Sequence, residues 1–504
     1  MDILNKALSN NIYEVAIKTP LEKASLLSSD LQNNILYKRE ELQPTFSFKI
    51  RGAISKINSL PKSILEFGVI ASSAGNHGLG VALAAKTKNI NATIVVPKNA
   101  SKQKIKLINK LGANVILHGK YYDDAEKLAK KISKEKKISF IHPFNDPEVI
   151  AGQGTIALEL FQQHPKNIDY IFVAIGGGGL ISGISSISKS ISTKTQIIGV
   201  QPLGCSAMLE SIKKKKIITL KDINQFADGV ATKKVGHLTF KITNKLVDNI
   251  ITVTNDEICS AIKDFYSENR TILEPSGALS IAGIKKFVRI NNIKNKTCIC
   301  ITCGANMTFE KLRYVSERTE IGEKKEAVFS IQAPETPGSF RNLIKAIGSR
   351  SIKELHYRYN DEKTAFFYLG FETASEQDKS RIQNKISSLK FKLIDLSSNE
   401  FAKLHLKSMI GGKPQKKINE YLFRIFFPET IGALKSFLKG LNKKFNITLF
   451  HYRDIGTDNA DVLIGIENIG NELNEINTDL ENIGYKFTNE SNNEAYKMFL
   501  SSQQ

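Results

Sequence analysis

The run Tyr170-Ile171-Phe172-Val173-Ala174-Ile175 ends in four consecutive glycines, Gly176 to Gly179, and continues as Leu180-Ile181-Ser182-Gly183. An unbroken apolar run of this length fits a strand buried on both faces, and the glycines mark a turn into a helix. Without Cβ atoms, several backbone N–H groups can converge on one anion at that helix's N-terminus, so the turn reads as a phosphate cradle. The dinucleotide fingerprint is not matched: Gly177-x-Gly179-x-x-x-Gly183 has the wrong spacing, and no Walker lysine follows. A second strand-to-helix turn, Ser72-Ser73-Ala74-Gly75-Asn76-His77-Gly78, follows the apolar run Gly68-Val69-Ile70-Ala71. Between Pro44 and Val315 further apolar runs start near residues 92, 113, 138, 196, 250 and 298, separated by amphipathic segments such as 101–111 and 123–131. That alternation predicts parallel sheets covered by helices, with chemistry at the C-terminal ends of strands. Ahead of it, the pattern predicts a helix over 4–16 and a strand over 34–38.

A nucleophile candidate precedes both turns. Lys49 lies between the β-favouring run Thr45-Phe46-Ser47-Phe48 and the helix-starting Ile50-Arg51-Gly52-Ala53. An ammonium desolvated against aromatic neighbours and opposed by a helix N-terminus loses proton affinity, which is the condition for a Schiff base with an aldehyde.

Beyond residue 315 the text changes character. A charged stretch, 316–326, reads as a linker, and an internal repeat follows. Pro334-Glu335-Thr336-Pro337-Gly338 recurs as Pro428-Glu429-Thr430-Ile431-Gly432, and His356-Tyr357-Arg358 recurs as His451-Tyr452-Arg453. Each copy reads as strand, turn, helix, strand, the start of a βαββαβ unit. At 504 residues the chain has room for about three domains. The formal charge of +21 comes mainly from lysine, without basic runs interleaved with aromatics, so nucleic acid is not an expected partner. No apolar window is long enough for a membrane span, and the N-terminus lacks a signal-peptide pattern, so a cytoplasmic protein is expected. Five cysteines argue against a disulfide framework; Cys298 and Cys300 fall on one face of a strand and Ile299 and Ile301 on the other, with no second ligand pair, so no metal site is expected.

A lysine nucleophile, a Ser/Gly/Asn turn and a tetraglycine cradle, in that order, resemble the fold type II pyridoxal-phosphate enzymes. Ser47-Phe48-Lys49-Ile50-Arg51-Gly52-Ala53, Ser73-Ala74-Gly75-Asn76-His77, Ala227-Asp228-Gly229-Val230, Leu273-Glu274-Pro275-Ser276-Gly277-Ala278 and Gly304-Ala305-Asn306 look like the threonine ammonia-lyases, and the repeated tail like the two ACT-like domains of their long biosynthetic form. The resemblance covers nearly the whole chain. It implies an α/β catalytic region of two open parallel sheets over residues 1–315, a linker at 316–326, and ACT-like domains at 327–413 and 414–504.

The resemblance also implies roles: Lys49 as the lysine that holds the cofactor and then removes the substrate's Cα proton, Phe48 beside it, and Asn76 on the cofactor's phenolic oxygen. Gly176, Gly177, Gly178, Gly179 and the N–H of Leu180 would hold the phosphate, and Ser73, Gly75, Asn76 and His77 the substrate carboxylate. At the ring nitrogen, where threonine-specific members place serine, this chain has Cys303; related serine dehydratases carry cysteine there. Ala74 stands where the serine racemases of this fold have a reprotonating serine, which disfavours racemisation. The implied reaction is β-elimination of L-threonine to 2-oxobutanoate and ammonia in a homotetramer, with isoleucine as inhibitor and valine as candidate activator at the tail. An L-serine dehydratase or another fold type II β-eliminating enzyme, and a noncatalytic amino-acid sensor with a relic front half, are the alternatives.

Overall fold

The computed structural model describes the chain except for residues 1, 74, 99, 101, 120–121, 323–325, 337, 360–362, 400–413, 415–417, 429–432, 442–444, 454–458, 469, 471, 494–495, 498–499 and 501–504. It divides into two compact units, Met1–Gly322 and Glu323–Gln504.

Among the described residues the first unit contains ten strands in chain order: β1 (Leu21–Lys23), β2 (Asn34–Arg39), β3 (Val69–Ser72), β4 (Ala92–Val96), β5 (Asn114–Leu117), β6 (Ser139–Phe140), β7 (Tyr170–Ala174), β8 (Gln196–Pro202), β9 (Asn249–Val253) and β10 (Thr297–Thr302). They form a six-stranded sheet, β1-β2-β10-β7-β8-β9, and a four-stranded sheet, β5-β4-β3-β6. Every pairing is parallel except β1 with β2. Helices cover both faces, so the central strands are apolar throughout; Phe172, Ile198 and Ile299 are fully buried. Strand β10 separates two cores: Cys298 and Cys300 belong to the one containing Phe265 and Phe172, Ile299 and Ile301 to the one containing Ile171 and Ile184. Burial raises the thiol pKa at both Cys298 and Cys300.

Three sequence expectations are corrected. The N-terminal helix stops at Ser9 and is followed by a 3-10 turn, Ile12–Glu14. There the Asn10 amide donates to the carbonyl and hydroxyl of Ser55, at 3.0 and 2.8 Å, in preference to continuing the helix. The β-favouring run before Lys49 is a turn, with Phe46 at φ +55° and more than half exposed. Its carbonyls are held by Asn306 Nδ2, donating to Thr45 at 3.0 Å, and by the Ala305 N–H, donating to Phe46 at 3.1 Å. The charged stretch expected as a linker is largely helix, Phe309–Gly322. Val315 and Thr319 are buried there, Thr319 Oγ1 bonds Cys259 O at 3.3 Å, and Arg318 pairs with Asp256 at 2.5 Å, so the charges decorate a packed helix.

Among the described residues the second unit has eight strands, β11 (Glu326–Pro334), β12 (Ile352–Arg358), β13 (Thr364–Glu372), β14 (Lys392–Asp395), β15 (Glu420–Pro428), β16 (Ile447–Arg453), β17 (Asn459–Glu467) and β18 (Phe487–Asn489), with four helices between them in two βαββαβ copies. They form one sheet, β14-β11-β13-β12-β16-β17-β15-β18, entirely antiparallel. The copies join through β12 and β16, where His356 stands opposite His451. The second turn, residues 429–432, and the expected division at 413/414 lie outside the described residues.

Candidate active site

Three helices of the first unit, Lys49–Asn58, Asn76–Thr87 and Gly179–Ile191, begin without a side-chain cap. Their first N–H groups therefore remain available to an anion or a polar ligand. At the third, Gly178 adopts φ +98°, a conformation that L side chains rarely take. A Cβ on Gly177 would lie 2.4 Å from the Phe144 ring, and one on Gly179 2.9 Å from Phe144 Cβ. The chain must be bare here for the turn to nest against that ring. Thr239 Oγ1 donates to Gly177 O at 2.6 Å, and the Leu180 side chain is buried, leaving only its N–H for a ligand.

Lys49 is the first residue of its helix. Its Nζ donates to Pro143 O at 3.2 Å and lies 5.3 Å from the Phe48 ring centre. Pro143 adjoins Phe144, so two consecutive residues touch both the lysine amine and the glycine turn. Burial lowers the Lys49 pKa to about 8, against smaller opposing effects from Cys303 and Glu274. A useful share of neutral amine therefore exists near neutral pH.

The second helix places the Ser/Gly/Asn turn. Ser73 Oγ accepts from Gly75 N at 3.1 Å, and Asn76 Nδ2 donates to Glu274 Oε1 at 2.7 Å. Asn306 Nδ2 donates to Asn76 Oδ1 at 2.7 Å, which fixes the Asn76 amide: one of its two N–H bonds is engaged by Glu274 and the other is left for a ligand. His77 is buried, and Nε2 pairs with Ile141 O at 2.9 Å. Burial, then the Lys49 charge, lowers its pKa to about 3, so the ring is a neutral N–H donor to that carbonyl and serves the scaffold. Cys303 Sγ accepts from the Phe48 N–H at 3.2 Å, and burial raises its pKa far enough to keep it a thiol.

The structure thus brings Lys49, Phe48, Cys303, Asn76 and, through Pro143 and Phe144, the tetraglycine into one neighbourhood. Ala74 lies outside the described residues. Sequence reasoning quoted the segments holding Glu274 and Asn306 without giving these two a role, and it missed Pro143 and Phe144. Their partners lie far away in the chain: 198 residues separate Asn76 from Glu274, and 230 separate it from Asn306. The His142-Pro143-Phe144 aromatic cluster after β6 was the available signal.

A family model described as "Pyridoxal-phosphate dependent enzyme" matches residues 12–304. The bare glycine turn fits a phosphate, the desolvated lysine an aldehyde, and the spare Asn76 N–H a ring oxygen. Fold and site together define a pyridoxal-phosphate-dependent enzyme. A second model, "C-terminal regulatory domain of Threonine dehydratase", matches residues 317–406 and again 411–500. The chain is 41% identical to the biosynthetic L-threonine dehydratase of Burkholderia multivorans, over 99% of each chain. It is 43% identical to the mitochondrial threonine dehydratase of Schizosaccharomyces pombe, over 99% of this chain and 84% of that one. Among solved structures, threonine deaminase isoform 2 from Solanum lycopersicum superposes with a TM-score of 0.62 at 44% identity, over 63% of this chain and 92% of that one. The chain belongs to the threonine dehydratase family.

Proposed function

We propose that the chain is an L-threonine ammonia-lyase that converts L-threonine to 2-oxobutanoate and ammonia. In this reading it is a cytoplasmic homotetramer serving isoleucine synthesis, inhibited by isoleucine through the repeated second unit, with valine as candidate activator. The observation that carries the reading is Lys49: a desolvated amine bonded to Pro143, whose neighbour Phe144 packs on the bare glycine turn.

Pyridoxal phosphate, when bound, supplies an aldehyde carbon for amines and a ring that accepts the electron pair left at the substrate Cα. The N–H groups from Gly176 to Leu180 would hold its phosphate at the helix N-terminus. Phe48 flanks the lysine, the spare Asn76 N–H would serve the phenolic oxygen, and the neutral Cys303 thiol would serve the ring nitrogen without fixing a proton there. Ser73 and the backbone N–H groups of Gly75, Asn76 and His77 hold the substrate carboxylate. Its negative charge is favoured by the positive end of the Asn76–Thr87 helix. The neutral Lys49 amine then removes the Cα proton, and burial, by lowering its pKa to about 8, keeps a share of it neutral near neutral pH. The β-hydroxyl departs as water, and the released enamine hydrolyses to 2-oxobutanoate and ammonia.

The test is kcat/KM for threonine and serine, each with and without isoleucine, on the full chain and on a chain ending at Gly322. Preference for threonine, with isoleucine inhibition lost only in the shorter chain, is expected. Preference for serine would assign the activity to the serine dehydratase alternative. Unchanged isoleucine sensitivity in the shorter chain would refute the regulatory assignment. No turnover of either amino acid in cofactor-loaded protein would favour the sensor.

A further inference from the structure

Glu274 is buried at the centre of the site, and among the described residues it has no ion-pair partner. Room for its carboxyl is made by two glycines: an ideal Cβ on Gly304, at φ +87°, would lie 2.3 Å from Oε1, and one on Gly229 would lie 3.0 Å from it. Oε1 accepts from Ser276 Oγ at 2.6 Å and from Asn76 Nδ2 at 2.7 Å, and the Glu274 N–H donates to Gly304 O at 2.8 Å. An apolar side chain would have been the cheaper occupant, since a buried carboxyl without a cation costs several kcal/mol in general. Its retention needs a use.

The end of the Asn76 amide chain is defined by groups that can only accept. Asn306 Nδ2 donates both to Thr45 O and to Asn76 Oδ1, so Asn76 Nδ2 must face Glu274. If the Glu274 acceptor is withdrawn, one of the two groups fixing the plane of that amide is gone. Burial raises the pKa of that carboxyl, and the hydrogen bonds from Ser276 and Asn76 oppose the rise. The other ionisable groups around it are the amine of Lys49, the thiol of Cys303, the neutral rings of His77 and His142, and Asp228, whose charge is shared by Lys104 at 3.0 Å and Lys311 at 3.1 Å.

We propose that Glu274 is a positioning residue: its oxygen aims the free Asn76 N–H at the cofactor's ring oxygen. The inference rests on the cofactor reading above. Two variants test it. Glu274→Gln keeps an oxygen able to accept from Asn76 and Ser276. Glu274→Asp draws the carboxyl back by one methylene, out of reach of Asn76.

The experiment measures, on the full chain, pyridoxal phosphate affinity by equilibrium dialysis, alongside kcat and KM for threonine in loaded protein. Glu274→Asp should weaken cofactor binding by about tenfold and lower kcat by about tenfold or more, with KM within about threefold, the pattern of a group acting in the transition state. Glu274→Gln should stay within about threefold of the wild type in both cofactor affinity and kcat. Wild-type affinity and kcat in Glu274→Asp, or a loss in Glu274→Gln as large as in Glu274→Asp, would overturn the inference. If Glu274→Gln fails to fold, the Glu274→Asp result decides by its cofactor affinity and kcat. A wild type that neither binds cofactor at Lys49 nor turns over threonine counts against the functional reading; a wild type that does both, with Glu274→Asp unaffected, counts against this inference alone.

Discussion

Arg51→Met removes the guanidinium from a buried ionic cluster two residues after Lys49 on the same helix. Arg51 is fully buried. It donates to Glu40 through Nε and Nη2, both at 2.7 Å, to Glu159 at 2.6 and 3.0 Å, to Thr155 Oγ1 at 3.1 Å and to Ile17 O at 3.2 Å. Glu159 retains Lys38 at 2.6 Å, but among the described residues the remaining hydrogen-bond partners of Glu40 are neutral, Thr19 at 2.5 Å and Gln43 at 3.2 Å, and Lys38 reaches it only electrostatically. Truncating one side of a buried pair costs about 3 to 5 kcal/mol, chiefly because the partner charge stays buried, so a loss of about 4 kcal/mol is expected here. The two-unit chain makes one global unfolding curve ill-defined; hydrogen exchange resolved to the peptide Lys49–Asn58 is the suitable assay. At a tenfold change for each ~1.4 kcal/mol, that peptide should exchange about a thousandfold faster, while peptides of the second unit stay unchanged. The difference depends on pH. Burial pushes the Glu159 carboxyl up, but Arg51 and Lys38 bring it below its usual range. Its stabilising contribution is thus present above the unfolded-state value of about 4 and disappears as pH falls through the lower folded value. Exchange within about fivefold of wild type at neutral pH would refute the reasoning and show the cluster to be energetically neutral.

Two further outcomes follow from the site geometry. Gly177→Ala drives a methyl into the Phe144 ring, so cofactor affinity measured by equilibrium dialysis should fall by about tenfold or more with the secondary structure unchanged in circular dichroism; unaltered affinity would remove the turn from the phosphate site. Cys303→Ser replaces a weak donor with a better one, so cofactor should dissociate more slowly, by up to about tenfold, with threonine activity retained; faster dissociation would place Cys303 away from the ring nitrogen.

The strands of the first unit other than the short β1, and both βαββαβ copies, were legible because their signals are local: apolar runs bounded by turn residues, and a Pro-Glu-Thr-x-Gly motif read twice. The glycine turn was legible for the same reason. Its dependence on Phe144 was not, since no local pattern says which ring will fill the space where four Cβ atoms are missing. Glu274 and Asn306 stood in recognised segments, yet their use depends on Asn76, which follows β3 of the four-stranded sheet, meeting segments some two hundred residues away: Asn306 after β10 of the six-stranded sheet, and Glu274 between two helices. The helix over 316–322 was hidden by composition: charges suggested a solvated linker, while the residues that pack, Val315 and Thr319, are sparse in that text.

The most direct test of the account is borohydride reduction of the cofactor-loaded protein followed by peptide mapping. The pyridoxyl group should be found on Lys49 alone, with the 410 nm absorbance (~410 nm for a bound pyridoxal imine) lost on reduction and absent from Lys49→Ala. A pyridoxyl group on another lysine, or an undiminished absorbance in Lys49→Ala, would contradict it.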